Sequence, residues 1–249
     1  MADVVANGVR HHVQRIGKRG ARPVTFIHGL VMDNLSSFYF TLANPLAETR
    51  DVVLYDLRGH GMSERPTDHY DVPSLVEDLR QILDALEIDQ TDLVGNSFGG
   101  LIALAFAAAH PTRVGKIFLI DAHTGIAGWA DQMTATLSLK GDARDSKIAE
   151  SFQSWLGRHS ERKRTRLAQA AEALVEKTSL IRDLRDSPPL GAITADVTAV
   201  YGETSDIRAQ GEALGRDLHA RVIIFPGCTH SVLWEATPAV KAALVEWAA

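Results

Sequence analysis

Thr91-Asp92-Leu93-Val94-Gly95-Asn96-Ser97-Phe98-Gly99-Gly100-Leu101-Ile102-Ala103-Leu104-Ala105-Phe106-Ala107-Ala108-Ala109-His110-Pro111 reads as the end of a buried strand, a turn of small residues around one serine, and an apolar helix stopped by a proline. A serine forced into so sharp a strand-to-helix turn takes up a strained backbone conformation. Glycines on either side, Gly95 and Gly99, let the strand and helix approach each other. The turn lifts the Ser97 hydroxyl out of the sheet, and the helix that follows aims its free N–H groups at the same spot, where negative charge is favoured. This pattern makes Ser97 a candidate nucleophile at an elbow between strand and helix.

Upstream, Val4-Val5-Ala6 and Val9 to Ile16 flank Asn7-Gly8, a dipeptide suited to a tight hairpin turn, so two antiparallel strands are expected first. Pro23 to Ile27 is a short apolar strand ending in His28-Gly29-Leu30, and Asp51 to Asp56 is another, followed by Leu57-Arg58-Gly59-His60-Gly61-Met62-Ser63. Asn34 to Glu48 suits a helix interrupted or bent at Pro45. Pro73 to Glu87 sets Leu75, Val76, Leu79, Ile82, Leu83 and Leu86 on one helical face. Downstream, strands are expected at Val114 to Ile120, Asp196 to Tyr201 and Arg221 to Phe225, with helices at Ile207 to His219 and Pro238 to Trp247.

Apolar strands alternating with amphipathic helices predict an α/β fold: a mostly parallel twisted sheet of about eight strands, its first hairpin antiparallel, covered by helices. Between Thr124 and Pro189 the strands stop and Leu167, Ala171, Leu174, Thr178 and Ile181 recur at helical spacing. The expected organisation is a core of residues 1–123 and 190–249 interrupted by a helical insertion, 124–189, closed by Ser187-Pro188-Pro189.

The chain has 249 residues, 45% hydrophobic and 23% charged, enough for one large α/β domain. A net charge of −5 gives no reason to expect nucleic acid or an anionic membrane as partner. The one cysteine, Cys228, cannot form an internal disulfide, and nowhere do eighteen apolar residues run together. A soluble, intracellular, cytoplasmic protein is the expectation. The histidines lack metal-ligand spacing, Gly95 to Gly100 lacks the lysine of a phosphate-binding loop, and Ser97 stands where a dinucleotide fingerprint needs glycine. No metal and no cofactor are implied.

Ligands of such sheets bind at the carboxyl ends of the strands. There the sequence offers Ser97, a carboxylate after a later strand, and His230 after the last one. In that order, with His28-Gly29, Asp56 to Ser63, Gly202-Glu203-Thr204-Ser205-Asp206, Glu235 and Pro238, the chain resembles the α/β-hydrolases along nearly its whole length. The resemblance implies a catalytic triad in which His230 accepts the Ser97 proton and a buried carboxylate orients the imidazole. Asp206 is assigned that role, with Asp121 and Glu203 as competing carboxylates. It implies an oxyanion hole made by the backbone N–H groups of Leu30 and Phe98, with His28 and His60 shaping loops rather than exchanging protons. Serine in place of aspartate argues against the haloalkane dehalogenase and epoxide hydrolase branches.

By the same resemblance the insertion is a cap over the site, with Trp129, Met133, Leu137, Phe152 and Trp155 as candidates to line an acyl pocket or to pack the cap on the core. Arg158, Arg162, Lys163, Arg164 and Arg166 form a basic run. It reads as a solvated helix face or as a docking surface for an acyl carrier protein or a coenzyme A thioester. The expected activity is cleavage of a small-molecule ester or thioester through an acyl-enzyme. Gly-Asn-Ser-Phe-Gly-Gly also looks like the elbow of hydrolases that cleave carbon–carbon bonds in ring-fission products. Their glycine-rich turn is not reproduced at His28-Gly29-Leu30-Val31-Met32, which ranks that reading below ester hydrolysis. A lyase or a ligand-binding receptor of the same fold is the remaining alternative.

Overall fold

The structure is a computed structural model, and residues 2–147, 161–185 and 192–249 are described. The strands are β1 (Ala2–Ala6), β2 (Val9–Gly17), β3 (Val24–Ile27), β4 (Asp51–Tyr55), β5 (Thr91–Asn96), β6 (Val114–Ile120), β7 (Asp196–Gly202) and β8 (Arg221–Phe225). They form one eight-stranded sheet in the order β1-β2-β4-β3-β5-β6-β7-β8. β1 and β2 pair antiparallel around Asn7 and Gly8, both at positive φ as a tight hairpin requires, and β2 meets β4 antiparallel. The remaining pairs are parallel.

Side chains alternate between the two faces, and each face has its own apolar layer. Val53, Leu93, Ile117 and Leu119 pack with helices α1 (Val72–Ala85) and α2 (Phe98–Ala109). Leu54, Val94, Phe118 and Ile120 pack on the opposite face, against Leu42, Leu46 and Leu244. Nearly all of α2 is buried, which explains why its sequence is apolar all round rather than amphipathic. The Asp71 carboxylate caps α1 by accepting from Ser74 N–H.

The helix expected at Asn34 to Glu48 is present as Ser36–Phe38, a π turn at Tyr39–Ala43, and Asn44–Ala47. The irregularity precedes Pro45 instead of falling on it. A proline ring clashes with the carbonyl four residues back, and the wider π turn relieves that crowding.

Between β6 and β7 the described residues contain no strand. They include helices α3 (Trp129–Leu137) and α4 (Glu161–Lys177) and a short turn at Leu180–Asp183. Ala171 and Leu174 are buried, as their spacing predicts. The closing Ser187-Pro188-Pro189 lies outside the described residues. α5 (Arg208–Asp217) and α6 (Thr237–Ala248) complete the covering layers. Among the described residues no helix is long and apolar enough to cross a membrane.

The strand order reverses direction between β3 and β5, which are hydrogen-bonded neighbours although β4 separates them in sequence. A crevice opens at such a switch point, and the loops after β3 and β5 border it.

Candidate active site

Ser97 occupies the turn between β5 and α2 at φ 51°, ψ −118°, a conformation that costs an L-residue of order 1–3 kcal/mol. Its surroundings hold it there. Ser97 N donates to Ile120 O at 2.9 Å, and a Cβ built on Gly99 would stand 2.0 Å from Ile27 O. A Cβ on Gly95 would stand 2.6 Å from Gly100 Cα. Gly100 serves a third approach, since its own Cβ would fall 2.2 Å from that of Ala122 in the loop after β6.

His230 reaches Ser97 from the loop after β8, with Nε2 at 2.9 Å from Oγ. Its Nδ1 lies 2.8 Å from a carboxylate oxygen of Asp121. A carboxylate only accepts, so Nδ1 carries the proton and Nε2 is left to accept from the serine hydroxyl. The loop bearing the histidine is tied down by Glu235, which accepts from Thr229 N at 2.7 Å and Thr229 Oγ1 at 2.9 Å.

The carboxylate on His230 is therefore Asp121, and the assignment of Asp206 is corrected. Asp121 is fully buried at the end of β6, at φ 40°, in the left-handed region that Asp tolerates better than most residues. Ser205 Oγ donates to its Oδ1 at 2.6 Å and Gly202 N to its Oδ2 at 2.7 Å, so the loop after β7 supplies donors to the acid instead of the acid itself. Asp206 is exposed, on the wall of the neighbouring cavity. Glu203 is exposed too, and accepts from Gly227 N. Burial pulls the His230 pKa down, but the hydrogen bond and charge of Asp121 and the charge of Asp206 outweigh it. Against an opposing contribution from Lys147, the result stands above the ordinary histidine value.

The turn after β3 presents the second element of the site. Gly29 N donates to Asp33 Oδ2 at 2.8 Å, and Val31 N donates to His60 Nε2 at 2.9 Å. Leu30 N, between them, has no acceptor among the described residues, and neither does Phe98 N at the first position of α2. His28 and His60 are the fixed braces of this turn. His28 Nε2 accepts from Leu57 N and His60 Nε2 from Val31 N, so each ring donates from Nδ1 to a carbonyl, of Gly29 and Arg58 respectively. Burial, and then the neighbouring His28, push the His60 pKa down to about 3, consistent with a permanently neutral structural ring. Asp33 also accepts from the Asn96 amide, linking the turn to the residue before the nucleophile.

Ser97 and His230 open on a cavity of about 500 Å³ between the sheet edge and the helical segment. Met133 and Leu137 line it, as expected, together with Leu30 and Phe98. Trp129 does not: it is 2% exposed and stacks on Phe98 at 5.9 Å, so that aromatic packs the segment onto the core. Phe152 and Trp155 lie outside the described residues, as does Arg158 of the basic run, whereas Arg162 and Arg166 are exposed. Among the described residues no cluster of three or more His, Cys, Asp or Glu side chains is placed to hold a metal ion. His123, Asp33 and Ser205 belong to this neighbourhood; His123 and Ser205 fall in strand-end stretches the sequence marks out, but it assigns none of the three a role.

A serine hydroxyl held on a neutral imidazole, with two unengaged N–H groups beside it, is equipped to attack an acyl carbon and hold the resulting oxyanion. Similar proteins perform hydrolysis. The 2-hydroxymuconate semialdehyde hydrolase of Pseudomonas sp. strain CF600 is 42% identical over 120 residues, 47% of this chain and 42% of that protein. The 2-hydroxy-6-oxo-2,4-heptadienoate hydrolase of Pseudomonas putida F1 is 40% identical over 121 residues, 48% of this chain and 43% of that protein. The matched stretch thus spans less than half the length of these curated relatives. Among solved structures, a meta-cleavage product hydrolase from Pseudomonas fluorescens IP01 superposes with a TM-score of 0.83 over 99% of this chain and 96% of its own, at 22% identity. A family model described as the alpha/beta hydrolase fold matches residues 22–219, most of the chain, and the protein belongs to that family.

Proposed function

We propose that this protein is a serine hydrolase that cleaves a carbon–carbon bond next to a carbonyl in a ring-fission product of the 2-hydroxy-6-oxo-dienoate type. The observation that carries the hydrolytic part is the Ser97–His230–Asp121 relay beside the unengaged N–H groups of Leu30 and Phe98. The bond type is supported by the activities of the similar Pseudomonas enzymes, in preference to the ester or thioester expected from sequence alone.

Ser97 Oγ attacks the 6-oxo carbon and its proton passes to His230 Nε2, while the carbonyl oxygen takes the electron pair and rests on the two N–H groups. On collapse the bond between carbons 5 and 6 breaks. Its electron pair leaves on carbon 5, delocalised through the conjugated chain to the oxygen on carbon 2, and the leaving fragment takes the proton from His230. Water, deprotonated by the same imidazole, then releases the acid from Ser97. Carbon is a poor leaving group, so the oxygen on carbon 2 must be in its keto form before the bond can break.

The cavity, about 500 Å³, is within the range of small-molecule sites. Its wall carries Lys140, Arg144 and Lys147; Lys140 and Arg144 face Glu176 and Glu172. Exposed ion pairs of this kind contribute about 0–1 kcal/mol, so exchanging one for the substrate carboxylate costs little.

The test is direct. Purified protein is given 2-hydroxy-6-oxo-2,4-heptadienoate, followed by loss of its dienolate absorbance, and in parallel a chain-length series of p-nitrophenyl esters and acyl thioesters. The reading requires kcat/KM for the dienoate to exceed that of every ester and thioester; the reverse order refutes it.

A further inference from the structure

We propose that His123 is a further catalytic residue, whose imidazole N–H donates to the oxygen on which the leaving fragment accumulates negative charge. The proposal rests on the carbon–carbon reading above.

His123 is the second residue after Asp121, and its main chain is anchored to the nucleophile: His123 N donates to Ser97 O at 3.1 Å. The intervening Ala122 is fully buried under Gly100, so the main chain that carries the ring is fixed relative to Ser97. The side chain lines the cavity at 9% exposure, its ring 5.5 Å from that of His230 and 5.6 Å from that of Trp129.

Neither ring nitrogen has a hydrogen-bonding partner among the described residues, and Nδ1 is shut away from solvent. A buried N–H without an acceptor is costly, and an unused lone pair is the better tolerated of the two defects. The proton therefore belongs on Nε2, the nitrogen with access to the cavity. Burial, and then the neighbouring His230, hold the pKa of this ring at about 3, so it stays neutral wherever His230 works. A second imidazolium there would oppose protonation of His230; a neutral ring does not. Neutral imidazoles are competent electrophilic donors to oxygens that gain charge.

Acylation of Ser97 makes no use of this group. His230 and Asp121 are satisfied without it, and the attacked carbonyl has Leu30 N and Phe98 N. The unmet demand is at the other end of the substrate. When the bond between carbons 5 and 6 breaks, charge appears on the oxygen of carbon 2, and His123 offers the donor for it. A simple ester, whose leaving alkoxide is protonated by His230, makes no such demand.

The test measures kcat and KM of His123→Phe and His123→Gln on 2-hydroxy-6-oxo-2,4-heptadienoate and on p-nitrophenyl acetate. Loss of one donor of this kind lowers kcat on the order of a hundredfold. We expect that loss for His123→Phe on the dienoate with KM little altered, a loss at least tenfold smaller on the ester, and partial recovery in His123→Gln, which retains an N–H donor. Equal losses on both substrates, or a dienoate rate within threefold of wild type, overturn the proposal. The second measurement leaves His123 intact: in Ser97→Ala, addition of the dienoate must move the His123 Nε2–H proton resonance downfield, and no movement overturns the proposal whatever the variants do. A wild type that hydrolyses the ester but not the dienoate refutes the proposed function and this inference with it. A wild type that cleaves the dienoate while the variant loses both activities alike refutes this inference alone.

Discussion

Asp121 Oδ1 lies 2.8 Å from His230 Nδ1, joining the end of β6 to the loop after β8 across the intervening β7. The contact decides which carboxylate orients the imidazole. Asp121 is enclosed and receives Ser205 Oγ and Gly202 N as well, whereas Asp206 is exposed. Asp121→Asn leaves an amide that can present its NH₂ to Nδ1 and so favour the wrong tautomer, and kcat is expected to fall on the order of 10³–10⁴-fold. Asp206→Asn should keep most of the wild-type rate. Steady-state kinetics of the two variants on one substrate check this; the opposite ranking would restore Asp206 as the acid.

Asp206 still acts on the imidazole through its charge. Protonated His230 cannot accept from Ser97, so activity rises with pH as the ring loses its proton. The raised pKa places that rise above the ordinary histidine value. Removing the Asp206 charge destabilises the imidazolium and lowers the pKa. The acid limb of the kcat/KM profile of Asp206→Asn should accordingly move to lower pH, and a shift to higher pH, or none, contradicts the assigned direction.

The oxyanion turn depends on His60, whose ring bridges Val31 N and Arg58 O. Without it the Val31 N–H loses its buried acceptor and the turn carrying Leu30 N loses a brace. We expect His60→Ala to lower kcat by about 10–100-fold with much less effect on KM, because the lost alignment matters most when the oxyanion forms. A matching change in KM alone would mean that the turn serves substrate binding instead.

Local pattern made most of this site legible. Strand-end positions follow from apolar runs bounded by turn residues, and Ser97 and His230 sit where those ends fall. The acid was not legible, because Asp121 and Asp206 both follow strands and differ only in which side chain turns inward. That choice rests on Ser205 and Gly202 as donors and on the positive φ of Asp121, all of them tertiary facts. Trp129 was ambiguous for a related reason: helical spacing does not tell an aromatic stacked on Phe98 from one facing a cavity. His123 stood out only by its place after a strand, and a lone histidine there becomes informative only once its ring is seen to lack partners.

Buried charge on the α1 side of the sheet gives a prediction about stability. Arg58 and Asp78 are almost completely enclosed and form a two-pronged pair, Nε to Oδ2 at 2.7 Å and Nη2 to Oδ1 at 2.5 Å, while Arg58 Nη1 also donates to His69 O. Removing one partner strands the other charge, so Arg58→Met should destabilise by about 3–5 kcal/mol. Adding Asp78→Leu removes the stranded carboxylate and should recover a large part of that loss. Denaturant unfolding of the two single variants and the double variant reads the coupling, and losses that simply add would show that the two groups do not interact and would overturn the stranded-charge argument.

The contact between Gly100 and Ala122 couples fold to chemistry most closely, because Ala122 stands between Asp121 and His123. A methyl group added at Gly100 would fall 2.2 Å from the Ala122 Cβ, well inside contact distance, and both positions are fully enclosed. Overpacking of this kind costs about 1–3 kcal/mol. The strain is relieved most directly by displacing the loop that carries Asp121 away from α2. Gly100→Ala should therefore lose activity out of proportion to its loss of stability, as the Asp121–His230 hydrogen bond is pulled out of line. Ala122→Gly removes the opposing methyl, and the double variant Gly100→Ala/Ala122→Gly should regain most of the lost kcat. Paired measurements of kcat and of the unfolding midpoint for the three variants separate the two effects. If stability returns in the double variant while kcat does not, the loop geometry is set elsewhere, and the approach of α2 to Ala122 is packing alone.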